Sequence, residues 1–130
     1  MKKIVVGIIL LCLCTGFIFA QQTGPVLKFE KSRKRFGFVH EGDTVKLTYN
    51  FENAGDAPLT ITEIKVSCGC TVVDFPKESF FPGQKGKINV SFDTHDKYDR
   101  QDRTIEVISN AKNTLYELRF KGVILKRVKK

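Results

Sequence analysis

The residues predict an all-β fold, a β-sandwich of about seven to eight strands, carried by one domain behind a short amino-terminal leader. Three observations lead there. Beyond residue 20 no segment sustains an apolar repeat of 3.6 residues, several segments alternate apolar with polar residues, and those segments are bounded by Gly, Pro, Asn and Asp.

The leader comes first. Lys2 and Lys3 precede an almost unbroken apolar run from Ile4 to Phe19, and Ala20 offers a small residue ahead of Gln21 and Gln22. That is the pattern of a secretory signal peptide over residues 1–20, which directs the domain, residues 21–130, to the periplasm or the exterior. A retained anchor is the alternative. It is disfavoured by a run near the lower limit of roughly 17 residues for crossing a bilayer and by Gly7 and Gly16 within it. Cys12 and Cys14 leave with the leader.

Val26 to Phe29 and Phe36-Gly37-Phe38-Val39 are short strand candidates. The clearest strand follows, with Val45, Leu47, Tyr49 and Phe51 on the inward face and Thr44, Lys46, Thr48 and Asn50 on the other. Asn53 to Pro58 reads as a turn in which Gly55 takes positive φ and Pro58 fixes the re-entry. From Leu59 to Val66 the inward set moves from Leu59 and Ile61 to Ile64 and Val66, which predicts a bulge near Thr62-Glu63. Thr71 to Phe75 is a short strand closed by Pro76. Pro82-Gly83 and Gly86 lead into Ile88, Val90 and Phe92. Asp93 to Arg103 is the longest polar connection and predicts a mobile loop. Ile105 and Val107 mark the next strand, Asn110-Ala111-Lys112-Asn113 a hairpin turn, and Tyr116, Leu118 and Phe120 the inward face of the last strand.

Such a series of strands without a helical interruption predicts two stacked sheets, with a closed barrel as the alternative. There is no tryptophan, and no two cysteines beyond the leader lie far apart in sequence, so the disulfide-on-tryptophan core of antibody domains is excluded. "Immunoglobulin-like" is here a statement of architecture.

The formal net charge is +8, and loss of Lys2 and Lys3 with the leader lowers it to +6. Export makes nucleic acid an unsuitable target for that charge. The basic segments are Lys31-Ser32-Arg33-Lys34-Arg35 and the tail, where Lys126, Arg127, Lys129 and Lys130 form a candidate surface for an anionic partner. An envelope or extracellular protein, or an anionic glycan, fits such a surface. Plain solvation is the simpler reading of the same charge. The domain is expected to be a monomer.

Several segments together resemble the bacterial secreted domains catalogued as domain of unknown function fifteen-seventy-three, which are related to the hydin and abnormal-spindle group of immunoglobulin-like domains. The resemblance rests on Phe36-Gly37-Phe38-Val39 with Glu41-Gly42, on Phe51-Glu52-Asn53-Ala54-Gly55 with Pro58-Leu59, on Ser67-Cys68-Gly69-Cys70-Thr71, on Pro82-Gly83 through Phe92-Asp93, and on Ser109-Asn110. It covers most of the chain beyond the leader. It implies an exported β-sandwich without a known activity.

Cys68 and Cys70 are the one constellation in the domain with chemical potential. On an extended strand they face the same side with Cβ atoms roughly 6.6 Å apart, too far for a disulfide unless Gly69 supplies a kink. A ring of three residues has a closure benefit of only about 1.6 kcal/mol. Three readings stand: buried reduced thiols acting as small core residues, a redox pair, or a soft-metal site for copper or zinc. The metal reading needs further ligands, and His40 and His95 are the only histidines, each beside carboxylates in a predicted loop. Gly83-Gln84-Lys85-Gly86-Lys87 resembles part of a phosphate loop, but Ile88 replaces the Ser or Thr and a strand follows. Asn89-Val90-Ser91 matches a glycosylation pattern inside a strand. Nothing brings a nucleophile, a base and an orienting group together, and no cofactor signature is present. The expectation is a non-enzymatic binding or scaffold domain that engages an envelope partner through a sheet edge or a basic face. The alternative is thiol-redox or soft-metal chemistry at Cys68-Gly69-Cys70.

Overall fold

Eight strands, with no helix, form the regular structure of residues 24–128, which are those described by the structure, a computed structural model. The expected leader, residues 1–20, lies outside them, as do Lys129 and Lys130. The strands are β1 (Leu27–Phe29), β2 (Arg33–His40), β3 (Thr44–Asn53), β4 (Ile61–Val66), β5 (Thr71–Asp74), β6 (Lys85–Asp93), β7 (Asp99–Ser109) and β8 (Leu115–Leu125). They form two four-stranded sheets, in the orders β1-β3-β6-β5 and β2-β8-β7-β4. This is an immunoglobulin-like sandwich. All pairings are antiparallel except that of β2 with β8, which is parallel.

The inward faces match the alternation in the sequence. Val45, Tyr49, Phe51, Ile88, Val90 and Phe92 from the first sheet meet Ile105, Val107, Leu118, Phe120 and Ile124 from the second, all buried. Leu47 and Tyr116 pack against this core from partly exposed positions. Aromatic rings gather at two ends. Phe29 lies near Phe51 and Tyr116, with centroids 5.7 and 4.8 Å away, and Phe80 meets Phe51 edge-on at 5.1 Å. At the other end Phe92 and Phe120 meet edge-on at 5.3 Å, beside Phe36. Such tilted contacts suit the ring quadrupoles. Tyr49 ties the sheets together, its hydroxyl donating across the core to the carbonyl of Arg119 at 2.9 Å, and burial pushes its phenol pKa well upward.

The bulge expected in β4 is present, with a register shift between Ile61 and Glu63. Ile64 turns to the core, but Val66 is 37% exposed because β4 ends there and the chain leaves for the other sheet. Two further expectations are corrected. Asp93 to Arg103 is not one loop: residues 94–98 connect, and Asp99 to Arg103 already belong to β7, paired with Ile124 back to Phe120. Their inward positions carry Gln101 and Arg103 instead of apolar residues, and the Arg103 guanidinium stands 5.7 Å over the Phe92 ring, closing that end of the core. Gly55 does not take positive φ. It is required because a Cβ there would collide with the backbone of Gly24, Pro25 and Val26.

Asn53, fully buried at the end of β3, organises the turn that follows. Its Oδ1 accepts from the N–H groups of Gly55 at 3.0 Å and Val26 at 3.3 Å, and its Nδ2 donates to the carbonyls of Ala57 at 2.7 Å and Phe80 at 2.9 Å. Its main chain adds bonds from its own N–H to Gln84 and from the Gly83 N–H to its carbonyl.

Two substitutions test this core. Asn53→Ala leaves buried backbone groups unpaired at an expected cost of about 1–3 kcal/mol for each group that water cannot reach. Phe51→Ala removes a ring from the aromatic end and should cost about 3–5 kcal/mol. Urea denaturation measures both, and a loss below about 1 kcal/mol for Phe51→Ala would contradict its core position.

Candidate functional sites

The Cys68-Gly69-Cys70 segment lies in neither sheet. β4 ends at Val66 in one sheet and β5 starts at Thr71 in the other, so residues 67–70 are the crossing, folded as a tight turn. The Thr71 N–H donates to the Cys68 carbonyl at 3.3 Å, and the Asp93 N–H donates to the Cys70 carbonyl at 2.9 Å. The turn brings the two Cα atoms to 5.3 Å, and Cys68 and Cys70 are joined by a disulfide. The reading of buried reduced thiols is thereby corrected, since the cysteines are oxidised and only half-buried. The extended-strand separation did not apply, because the motif turns.

The two sulfurs differ in surroundings. Cys70 packs against the core, and its Sγ lies 4.0 Å from the Thr71 hydroxyl. Gly69 is exposed, and a Cβ built on it would stand in open space. Arg103, over Phe92, occupies the same end of the sandwich, since Thr71 pairs with Phe92. Its Nη2 donates to Gln101 Oε1 at 2.7 Å, while its buried Nε has no partner among the described residues.

The soft-metal reading gains no further ligands. His40 ends β2, where its N–H donates to Asp43, and His95 is exposed with its Nε2 3.5 Å from Asp96. No group of three or more His, Cys, Asp or Glu converges among the described residues.

The described part of the tail does not stand free. Lys126 places its Nζ 5.4 Å over the Tyr98 ring, and Arg127 pairs with Asp43 at 3.2 Å. The denser basic surface is the outward face of β2, β8 and β7. Arg33 lies opposite Arg119, Arg35 opposite Lys121, and Phe38 opposite Val123, which in turn faces Arg100. Asp102 is one acid on this face, with Glu106 and Glu117 paired further along it. It accepts two hydrogen bonds from Arg119, at 2.6 and 2.7 Å, and these, with the charges of Arg119, Lys121 and Arg33, hold its carboxyl below the ordinary value. β2 has β8 on one side and no strand on the other among the described residues, and its Phe38 is 74% exposed. Half of this face was visible as the basic run Lys31 to Arg35. The rest was hidden in Arg119 and Lys121, whose two-residue spacing signals a shared face only once β8 is placed beside β2.

Comparison with known proteins addresses the fold. No curated protein sequence matches the chain. A protein of unknown function from Porphyromonas gingivalis W83 superposes with a TM-score of 0.68 at 16% identity, covering 78% of this chain and 47% of that one. The chain thus spans about half the length of that protein. The ASH/PapD-like domain 7 of human CEP192 superposes with a TM-score of 0.64 at 8% identity, covering 78% of this chain and 87% of that one. The VesB protease of Vibrio cholerae shares the fold over 77% of this chain and 31% of its own, with a TM-score of 0.57 at 13% identity. At these identities the likeness is one of fold. The family described as "Protein of unknown function (DUF1573)" matches residues 27–124, nearly the whole sandwich, and the chain belongs to that family.

Proposed function

We propose that the domain is a non-enzymatic binding module that receives an extended, acidic segment of a partner protein along the free edge of β2. One conjunction carries this reading: an edge strand without a second neighbour among the described residues bears two outward arginines and a phenylalanine that is 74% exposed. A chain laid beside β2 would continue the ladder with main-chain hydrogen bonds. Its carboxylates would meet Arg33, Arg35 and Lys121, and an apolar side chain would cover Phe38. Charges on an edge strand also serve to keep two proteins from pairing edge to edge. An exposed aromatic at the same place works against that role and in favour of a partner.

An anionic glycan would meet the same charges but could not extend the sheet. The leader expected over residues 1–20 would place the encounter in the periplasm or outside the cell, with an envelope protein as partner and a monomeric domain as receiver. In this reading Lys126 and Arg127 are the rim of the surface.

The test is calorimetric titration with a synthetic peptide of alternating Glu and Val, with heparin as the glycan comparator. The peptide should bind, bind less well as salt rises, and slow amide exchange along β2. Arg33→Glu with Arg35→Glu should weaken binding about tenfold, equivalent to roughly 1.4 kcal/mol. Heparin binding without protection of β2 would transfer the surface to glycans, and peptide binding indifferent to the charge reversal would overturn the proposal. A second variant addresses Asp102, which competes with an acidic ligand for Arg119. Asp102→Asn should tighten peptide binding while leaving the circular dichroism spectrum unchanged.

A further inference from the structure

We infer that the Cys68–Cys70 disulfide is a thiol–disulfide exchange centre whose substrate is the dithiol of another protein, independent of the β2 surface. Four features carry this. The bond does not hold the sandwich together, because β4 is laddered to β7 up to Val66 and β5 to β6 from Thr71, so the sheets are anchored on both sides of the turn without it. Closing three residues also restrains the unfolded chain very little.

The site is approachable. Both cysteines are half-buried, Gly69 opens on empty space at the apex, and the exposed Val66 precedes the turn as the exposed Val72 follows it. The environments of the sulfurs divide the labour. Cys70 is packed on the core with the Thr71 hydroxyl 4.0 Å from its sulfur, a donor suited to a developing thiolate. Cys68 is therefore the sulfur attacked and Cys70 the sulfur that leaves.

A thiolate of the partner dithiol attacks Cys68 Sγ, a mixed disulfide forms, and the Cys68–Cys70 bond breaks with its electron pair on Cys70 Sγ. The partner's second thiolate then attacks its own sulfur in the mixed disulfide and releases Cys68. The partner loses two electrons and two protons and becomes a disulfide, while the domain gains both and holds two thiols. After reduction, the bonds from the Thr71 and Asp93 N–H groups to the carbonyls of Cys68 and Cys70 keep the turn folded, so the thiols remain neighbours and can be reoxidised.

Exchange is measured on the oxidised protein with dithiothreitol, following free thiols by alkylation and mass spectrometry and the fold by circular dichroism. Reduction in native buffer should finish within minutes and leave the β spectrum unchanged. Resistance to reduction until denaturant is added, or loss of the fold on reduction, would show a structural bond and overturn the inference. Thr71→Val should slow reduction about tenfold, and Thr71→Ser, which keeps the hydroxyl, should stay within about twofold of the parent. An unchanged rate in Thr71→Val would refute Cys70 as the leaving sulfur. Brief exposure to reduced glutathione followed by acid quenching should place the mixed disulfide on Cys68. Finding it on Cys70 would reverse the assignment.

Discussion

The side-chain amide of Asn53 is the constraint on which one end of this sandwich depends. A carboxamide offers two donors and an acceptor with two lone pairs, and here all four are used on backbone groups from three separate stretches of chain. Val26 leads into β1, Gly55 and Ala57 form the turn after β3, and Phe80 belongs to the connection between β5 and β6. No other side chain of this size can do the same. A carboxylate lacks the donors, and a hydroxyl lacks the reach. With the amide in place, Gly55 comes against the backbone of residues 24–26, where any Cβ would collide, and Leu59 exchanges both main-chain bonds with Phe80. The run Asn53-Ala54-Gly55 with Pro58-Leu59 is thus one hydrogen-bonded device that fixes where β1 and the β5–β6 connection meet β3.

The core strands were legible because each carries one apolar face. β3, β6, the second half of β7 and the first half of β8 all show the two-residue alternation, and their inward residues are buried apart from the partly exposed Leu47 and Tyr116. The first half of β7 was not legible. Its inward positions hold Gln101 and Arg103, and a guanidinium lying on the Phe92 ring reads in sequence as loop polarity although it covers the core like an apolar group. The same mechanism obscured the length of β8. Gly122 sits at an inward position where a Cβ would enter the Phe36 ring, so the alternation breaks while the strand continues to Leu125.

The candidate sites divide in the same manner. Cys68 and Cys70 were visible as the chemically distinctive pair, yet their bonding depended on whether Gly69 bends, which a local motif does not decide. What decides it is topology, because β4 and β5 belong to different sheets and the chain must cross between them at this point. The basic face was half visible for a complementary reason. Arg33 and Arg35 are neighbours in sequence, whereas Arg119 and Lys121 join them through the parallel pairing of β2 and β8, a contact between the second strand and the last.

Crossing between the sheets explains why the two sites lie where they do. Stacked sheets stand about 10 Å apart, and an extended chain advances about 3.3 Å per residue, so the five steps from Val66 to Thr71 exceed the gap and leave room for a turn. The chain uses that room to fold into a tight turn, which brings the Cα atoms of Cys68 and Cys70 to 5.3 Å. The crossing also ends both edge strands on its side of the sandwich, since β4 and β5 run directly into it. On the far side the chain crosses in the same way from β1 to β2 over residues 30–32, and β2 then runs for eight residues beside β8 alone. β8 and β7 separate β2 from β4, and the ladder between them includes no residue of the turn. The open edge and the disulfide turn therefore sit at opposite margins of one topology, with two strands between them.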